Sequence, residues 1–424
     1  MNYFAITRTV FKKSRNMKNN AFKKSFISIV FFCSLFGMTE VHAASHWVGT
    51  WATAPQLVEV KNMPPAPGLT GNSLRQIVRV SVGGKKIRLR FTNAFSQGSV
   101  NMKSVQIAVS TGGNSIDVKS NKVLKFSGKK EVTMLPGSTL TSDPIAFKLQ
   151  PRMDVAITIY FGETSPTTSG HPGSRTTSFL LGGNSIKVND FAGAAETEHW
   201  YMLTGMDVLA SVKTSSIAIL GNSITDGRGS ETNKQNRWPD ILSERLLKNA
   251  TTQNVGVLNL GIGGNCVVRG GLGPTALNRF DRDIMGQDGL RWVIIFIGVN
   301  DIGGMPNTRE AVDRTYEKLT DAYRQFIVKA HAKGLKVYGG TIMPFKGNGY
   351  YSEWREICRL KVNEWIRTKG NFDACIDFDH CMQDPNNAAS LPADLDYQND
   401  FLHPNAEGHR KMGEFVDLKL FELK

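Results

Sequence analysis

Two hydrophobic periodicities divide the chain. Between residues 45 and 210 the apolar positions come in short alternating runs, at 77–82, 87–91, 105–109 and 155–161. The breaks between them are turn formers: Gly83-Gly84, Gly112-Gly113 and Pro136-Gly137. A period of two with turn residues at each end predicts strands that are buried on one face. No long amphipathic helix interrupts them, so this region is expected to be an all-β sandwich or jelly roll.

From about residue 214 the pattern changes to strand and helix in alternation. Apolar strands are predicted at 217–220, 255–260, 292–297, 336–339 and 374–378. The run at 292–297 is almost wholly apolar, as expected of a strand covered on both faces. Helices are predicted at 239–248, where Pro239 suits a first turn and Leu242 and Leu246 share a face, and at 308–333, 353–368 and 404–423. Repeated βα units imply a parallel sheet with helices on both faces, a three-layer α/β/α domain. The expected organisation is a β-sandwich domain at 45–210 followed by an α/β domain at 211–424. In such a sheet ligands bind beyond the carboxyl ends of the strands. Three of those ends carry Gly221-Asn222-Ser223, Gly261-Ile262-Gly263-Gly264-Asn265 and Gly298-Val299-Asn300-Asp301.

The first 43 residues read as an export signal. Lys18, Lys23 and Lys24 precede an apolar run at 26–38, and Val41-His42-Ala43 ends in a small residue. The apolar run is too short for a membrane span. Phe32 precedes Cys33 where a lipoprotein signal wants a small residue, so lipidation is not expected. The expected location is the periplasm or the extracellular space. Seven basic residues and one acid lie in 1–43, and without them the net charge falls from +14 to +8. That charge is compatible with acidic polysaccharides or anionic membranes, but a solvated basic surface is the simpler reading and the one expected. No basic run interleaved with aromatics suggests nucleic acid. Four cysteines remain, Cys266, Cys358, Cys375 and Cys381, in no zinc-like spacing, and an exported chain can oxidise them. Cys375 and Cys381 are the nearest in sequence and the first candidates to pair.

The candidate chemistry sits at the strand ends. A serine hydroxyl is a weak nucleophile without a base in hydrogen-bond reach and an acid that orients the base. Ser223 directly follows the first strand, and Asp400-Phe401-Leu402-His403-Pro404 offers both partners. A three-residue spacing can put Asp400 and His403 on one side of a turn, with Pro404 starting the last helix. The oxyanion of an acyl-transfer transition state needs preplaced donors. The Ser223 N–H, the Gly264 N–H and the Asn300 side-chain amide are the candidates. Gly263 is the alternative to Gly264.

These four blocks resemble those of the SGNH/GDSL hydrolase superfamily. Gly221-Asn222-Ser223-Ile224-Thr225 is similar to its nucleophile block, and 259–265 to its glycine block. Gly298-Val299-Asn300-Asp301 is similar to its Gly-x-Asn-Asp block, and Asp400-x-x-His403-Pro404 to its final block. The segments at 273–283 and 338–351, and the opening Trp47-Val48-Gly49-Thr50-Trp51-Ala52, resemble bacterial extracellular GDSL-like acylhydrolases with an N-terminal β-domain. The resemblance implies a flavodoxin-like α/β domain, with Ser223, Gly264, Asn300 and His403 as signature residues and Asp400 completing a triad. One departure is Asn222, where the family usually has Asp. Thr225 stands where an α/β-hydrolase elbow needs glycine, which argues against that fold.

The expected activity is therefore hydrolysis of short acyl esters, most simply acetyl groups on carbohydrate, with no metal and no cofactor. The alternatives are a lipase or lysophospholipase of the same fold and a non-catalytic carbohydrate-binding surface protein. Taken singly, each block has a simpler reading as a turn or a cap. Tyr350, Tyr351 and Phe345 are candidate pocket residues or core, and Asp226 a candidate hydrogen-bonder within the nucleophile turn. His380 with Asp379, His331 and Cys266 match no block.

Overall fold

The computed structural model describes residues 44–422. The export signal predicted at 1–43 lies outside the described residues. The alternating runs form two antiparallel sheets. One contains Ser45–Ala52, Gly84–Thr92, Thr139–Thr141, Ile145–Leu149 and Leu203–Ser211. The other is seven-stranded and centres on Ser73–Arg79, Asp154–Phe161 and Val100–Gly112. Alternation shows directly in Asp154–Phe161. Val155, Ile157, Ile159 and Phe161 enter a core shared with Val48, Ile87, Leu89 and Val208 of the first sheet, while Thr158 lies on the opposite face, where it is also buried and accepts a hydrogen bond from Arg75. A small third sheet joins Gln56–Leu57, Ser169–His171 and Trp200–Tyr201.

Pairing then becomes parallel. Strands β1 (Ser215–Gly221), β2 (Val255–Gly261), β3 (Leu290–Phe296), β4 (Lys336–Gly340) and β5 (Ala374–Ile376) lie in the order β2-β1-β3-β4-β5. The helices are α1 (Ser223–Asp226), α2 (Trp238–Lys248), α3 (Ala276–Phe280), α4 (Val299–Gly303), α5 (Arg309–His331), α6 (Glu353–Arg367), α7 (Phe378–Cys381) and α8 (Ala406–Phe415). The centres of the strands are apolar because both faces are covered. Ala218, Leu220, Val293 and Ile295 pack with Leu319, Tyr323 and Phe326 of α5 and Val362 of α6. Ile217, Ile219, Trp292 and Ile294 pack with Trp238 and Leu242 of α2 and Met412 of α8. Every strand therefore feeds two cores, one above and one below the sheet. Among the described residues no helix is long and apolar enough to cross a membrane.

The antiparallel half lies against this sheet, and the described residues form one compact unit. Strand Ser45–Ala52 makes the contact. Its Gly49 N–H donates to Asp288 O at 2.9 Å, and Ser216 Oγ donates to Gly49 O at 2.6 Å. A Cβ at Gly49 would come within 2.8 Å of Leu258 Cδ1, so only glycine fits without moving that leucine. Arg88 bridges Asp207 at 3.0 Å and Asp288 at 2.6 Å across the same junction.

Three expectations change. The last helix begins at Ala406 and not at Pro404, because the Asn405 side chain accepts the Gly408 N–H at 3.0 Å and caps it. It ends at Phe415, and Asp417 caps a separate 3₁₀ turn, Leu418–Phe421, that returns Phe421 onto Trp292 and Tyr338. Strand β5 stops at Ile376, where the Asp377 side chain caps α7. All four cysteines in the described residues are free thiols. Cys375 packs toward the α5–α6 side of the sheet and Cys381 toward the α2–α8 side, so the sheet itself keeps them apart.

Candidate active site

Strand β1 ends at Gly221, and the chain turns at once. Asn222 is extended (φ −109°), and its Oδ1 accepts the Ile224 N–H at 3.1 Å, capping the four-residue α1. Gly227, in the left-handed region at φ 111°, ends it. Ser223 is thus the first residue of α1. Its carbonyl takes the Gly227 and Arg228 N–H groups at 2.9 Å. Its own N–H points off the N-terminal end without an acceptor among the described residues, as first-turn N–H groups do. Asn222, where the resembling family has Asp, caps equally well and puts no charge beside the serine.

The candidate base comes from the far end of the chain. The loop before α8 is pinned by Tyr397 N–H to His403 O at 2.9 Å and Asp400 N–H to Tyr397 O at 3.1 Å. Gln398, Asn399 and Phe401 all sit in the left-handed region, at φ 56°, 56° and 57°. Such backbone is costly outside glycine and persists only where surroundings hold it. Here Asp396 Oδ1 accepts the Phe401 N–H at 2.9 Å, and Asn348 Nδ2 donates to Asp400 O at 2.6 Å. Asp400 and His403 meet through this looped turn and not through a helical one. Asp400 Oδ1 accepts the Leu402 and His403 N–H groups at 2.9 and 2.8 Å. Its Oδ2 accepts from His403 Nδ1 at 2.7 Å. That fixes the tautomer and leaves His403 Nε2 facing Ser223 Oγ at 2.8 Å. Partial burial would raise the Asp400 pKa. The His403 bonds and the Leu402 N–H outweigh it and hold that carboxyl down at about 2.

The other two candidate oxyanion donors stand just past two other strand ends. Asn300, in α4 just past β3, is buried. Its Nδ2 donates to Asn265 O at 2.9 Å, and its Oδ1 accepts from the Tyr350 hydroxyl at 3.2 Å. A primary amide has two N–H groups, so one remains for a substrate oxygen. Gly264 is left-handed at φ 68°. Neither its N–H nor that of Gly263 has an intramolecular acceptor among the described residues. The loop is tied down by Asp301, whose two carboxylate oxygens accept the Val267 and Val268 N–H groups at 2.8 and 3.1 Å. All four signature residues and Asp400 therefore lie at the carboxyl rim of the parallel sheet, where the topology calls for a site.

Residues 219–411 match the model of the GDSL-like Lipase/Acylhydrolase family. That segment is of the GDSL-like type. Among solved structures the chain is similar to a G-D-S-L family protein from Desulfitobacterium hafniense DCB-2, at 21% identity over 48% of this chain and 97% of that one, TM-score 0.37. It is also similar to an acetylxylan esterase from Geobacillus stearothermophilus, at 19% identity over 50% of this chain and 95% of that one, TM-score 0.36. A comparison with curated proteins gave no match.

The remaining candidates in the GDSL-like segment separate cleanly. Phe345 is fully buried core. Tyr351 packs edge-on against it, whereas Tyr350 reaches Asn300. Asp379 is buried in ion pairs with Arg359 and Arg367, and His380 is exposed. His331 pairs with Asp373 at 2.7 Å at the end of α5. Burial pushes the Cys266 thiol up to about 11, which leaves it protonated and inert. The Asp226 carboxylate does not bond within its own turn. It points out of the segment to His171 Nε2 at 2.9 Å. Sequence reasoning missed His171 and Asn348. His171 stands in a Gly-rich stretch with no chemical signal, Asn348 lies within the 338–351 resemblance without a role attached to it, and their partners lie 55 and 52 residues away.

Proposed function

We propose that the chain is a serine esterase for short acyl esters, with acetyl groups on carbohydrate as the substrate class. The observation that carries this reading is the unbroken run from Asp400 Oδ2 to His403 at 2.7 Å and from His403 to Ser223 Oγ at 2.8 Å. In the reaction Ser223 Oγ adds to the ester carbonyl as His403 Nε2 takes its proton. The carbonyl oxygen becomes an oxyanion held by the Ser223 and Gly264 N–H groups and Asn300 Nδ2. Collapse breaks the ester C–O bond, and His403 returns the proton to the leaving alcohol. Water, deprotonated by the same imidazole, then releases the acid and restores Ser223.

One feature favours a short acyl group: the sequence carries no apolar lid segment between the blocks. Hydrolysis of p-nitrophenyl acetate, p-nitrophenyl octanoate and acetylated xylan tests the reading. The acetyl ester should be cleaved fastest, xylan should release acetate, and S223A should be inactive on all three. Preference for octanoate would replace the carbohydrate reading with a lipase one, and equal rates for S223A would leave a binding protein. The same proposal has the chain exported, supported by the order of basic cluster, apolar run and small-residue site in 1–43. A secreted chain beginning at Ala44 is the expected product, and one that retains residues 26–38 overturns export by cleavage.

A further inference from the structure

We propose that His171, supplied by the antiparallel half, is a positioning residue that holds the nucleophile turn and cancels the charge of Asp226 beside the oxyanion site. This rests on the esterase reading above. Asp226 closes α1, three residues after Ser223, and its backbone N–H donates to Asn222 O at 2.8 Å. An isolated turn of four residues has no stability of its own. Asn222 caps its first end, and the Asp226 side chain ties the other. The carboxylate lies between two loops that leave space for it. A Cβ at Gly173 would overlap it, and a Cβ at Gly263 would stand 3.4 Å from Oδ2. Asp226 therefore sits against the same glycine loop that presents Gly264.

The proton count follows from the partners. His171 Nδ1 is 2.9 Å from Ala54 O, and a carbonyl can only accept, so Nδ1 carries a proton. His171 Nε2 is 2.9 Å from Asp226 Oδ1. Two lone pairs facing each other at that distance would repel, so a proton lies there as well. The buried pair is thus neutral as a unit. Arg175, partly exposed, makes a longer ion pair with Oδ2 at 4.0 Å and so compensates the carboxylate less closely than His171, and the nearby buried Arg279 is already paired with Asp283 at 3.2 Å. The imidazole is held by stacking on Trp200, with ring centroids 5.9 Å apart, and Trp200 is itself wedged edge-on by Trp51 at 4.9 Å. Without His171 the carboxylate would keep only the longer Arg175 pair, and so close to Gly263 and Gly264 it would oppose the negative charge that develops on the substrate oxygen. Buried charges in a low-dielectric site act strongly on each other. The pair should therefore govern turnover far more than substrate binding.

Steady-state kinetics on p-nitrophenyl acetate with H171Q, D226N, S223A and the wild type test this, alongside thermal unfolding of each. H171Q keeps a donor to Asp226 but removes the positive charge. Its kcat should fall about ten- to a hundred-fold with KM within about two-fold. D226N keeps the bond to a neutral imidazole and removes both charges, so its kcat should stay within about five-fold of wild type. H171Q at wild-type kcat, or D226N falling as far as H171Q, overturns the proposal. If H171Q does not fold, D226N decides alone, and a loss beyond about twenty-fold overturns it. A wild type no faster than S223A marks failure of the esterase reading itself, and this proposal falls with it.

Discussion

Two histidine–carboxylate pairs flank one four-residue turn, and their difference is instructive. His403 with Asp400 and His171 with Asp226 have similar lengths, 2.7 and 2.9 Å. In the first pair the carboxylate takes one ring nitrogen and the other faces a serine hydroxyl. In the second, both nitrogens are consumed, one by Asp226 and one by the Ala54 carbonyl. The first pair reaches solvent on one side, where the half-exposed Arg228 stands 3.7 Å from the partly exposed Asp400 carboxylate. The second is sealed between the two halves of the molecule. An imidazole beside a carboxylate becomes a base only when a lone pair is left facing a proton that can move. With both nitrogens bound it becomes a strut.

The same substitution made in each pair should break the comparison most sharply. D400N removes the acceptor that sets the His403 tautomer and should lower kcat on the order of 10⁴-fold, as loss of a triad acid does elsewhere. D226N should cost only a few-fold. S223A should match or exceed the D400N loss, and assays of all three on p-nitrophenyl acetate rank them. N300A removes one oxyanion donor and should lower kcat by about 10²- to 10³-fold with little change in KM. The smallest effect concerns a third histidine. His409 is fully buried, accepting the Trp238 N–H and donating to Arg228 O. Burial lowers its pKa from 6.5 to about 4, so it is neutral in the folded state. Between those values the unfolded chain binds the extra proton, and stability falls as pH drops through that window. Urea midpoints at pH 7, 5.5 and 4.5 should fall more steeply for the wild type than for H409Q. Equal slopes would show that His409 does not set the acid limit.

What could be read in advance follows from where information is local. The alternation at 155–161 announces its strand because every second residue enters one core. The candidate triad could be read because Ser223 follows a strand whose apolar run is unmistakable, and Asp400 and His403 stand together in one contiguous block. The final helix was misjudged because Asn405 and Asp417, the residues that open and close it, act through single side-chain caps that apolar spacing does not register. His171 was invisible for a stronger reason. Its strand is three residues long, and Ser169-Gly170-His171-Pro172-Gly173 reads as a turn. Its meaning comes only from Asp226, which packing between the halves delivers.

The junction at Gly49 bears on how this architecture can be inherited. A backbone passing so close to Leu258 that a methyl group would be refused couples a position in the first strand to one two hundred residues later. A chimaera that joined this N-terminal half to the hydrolase half of a cousin would have to match both sides of that seam. It would also have to preserve the imidazole that reaches across it. Recombination should therefore transmit the two halves together, and hybrids with a breakpoint near residue 212 should be recovered far less often than ones cut inside either half.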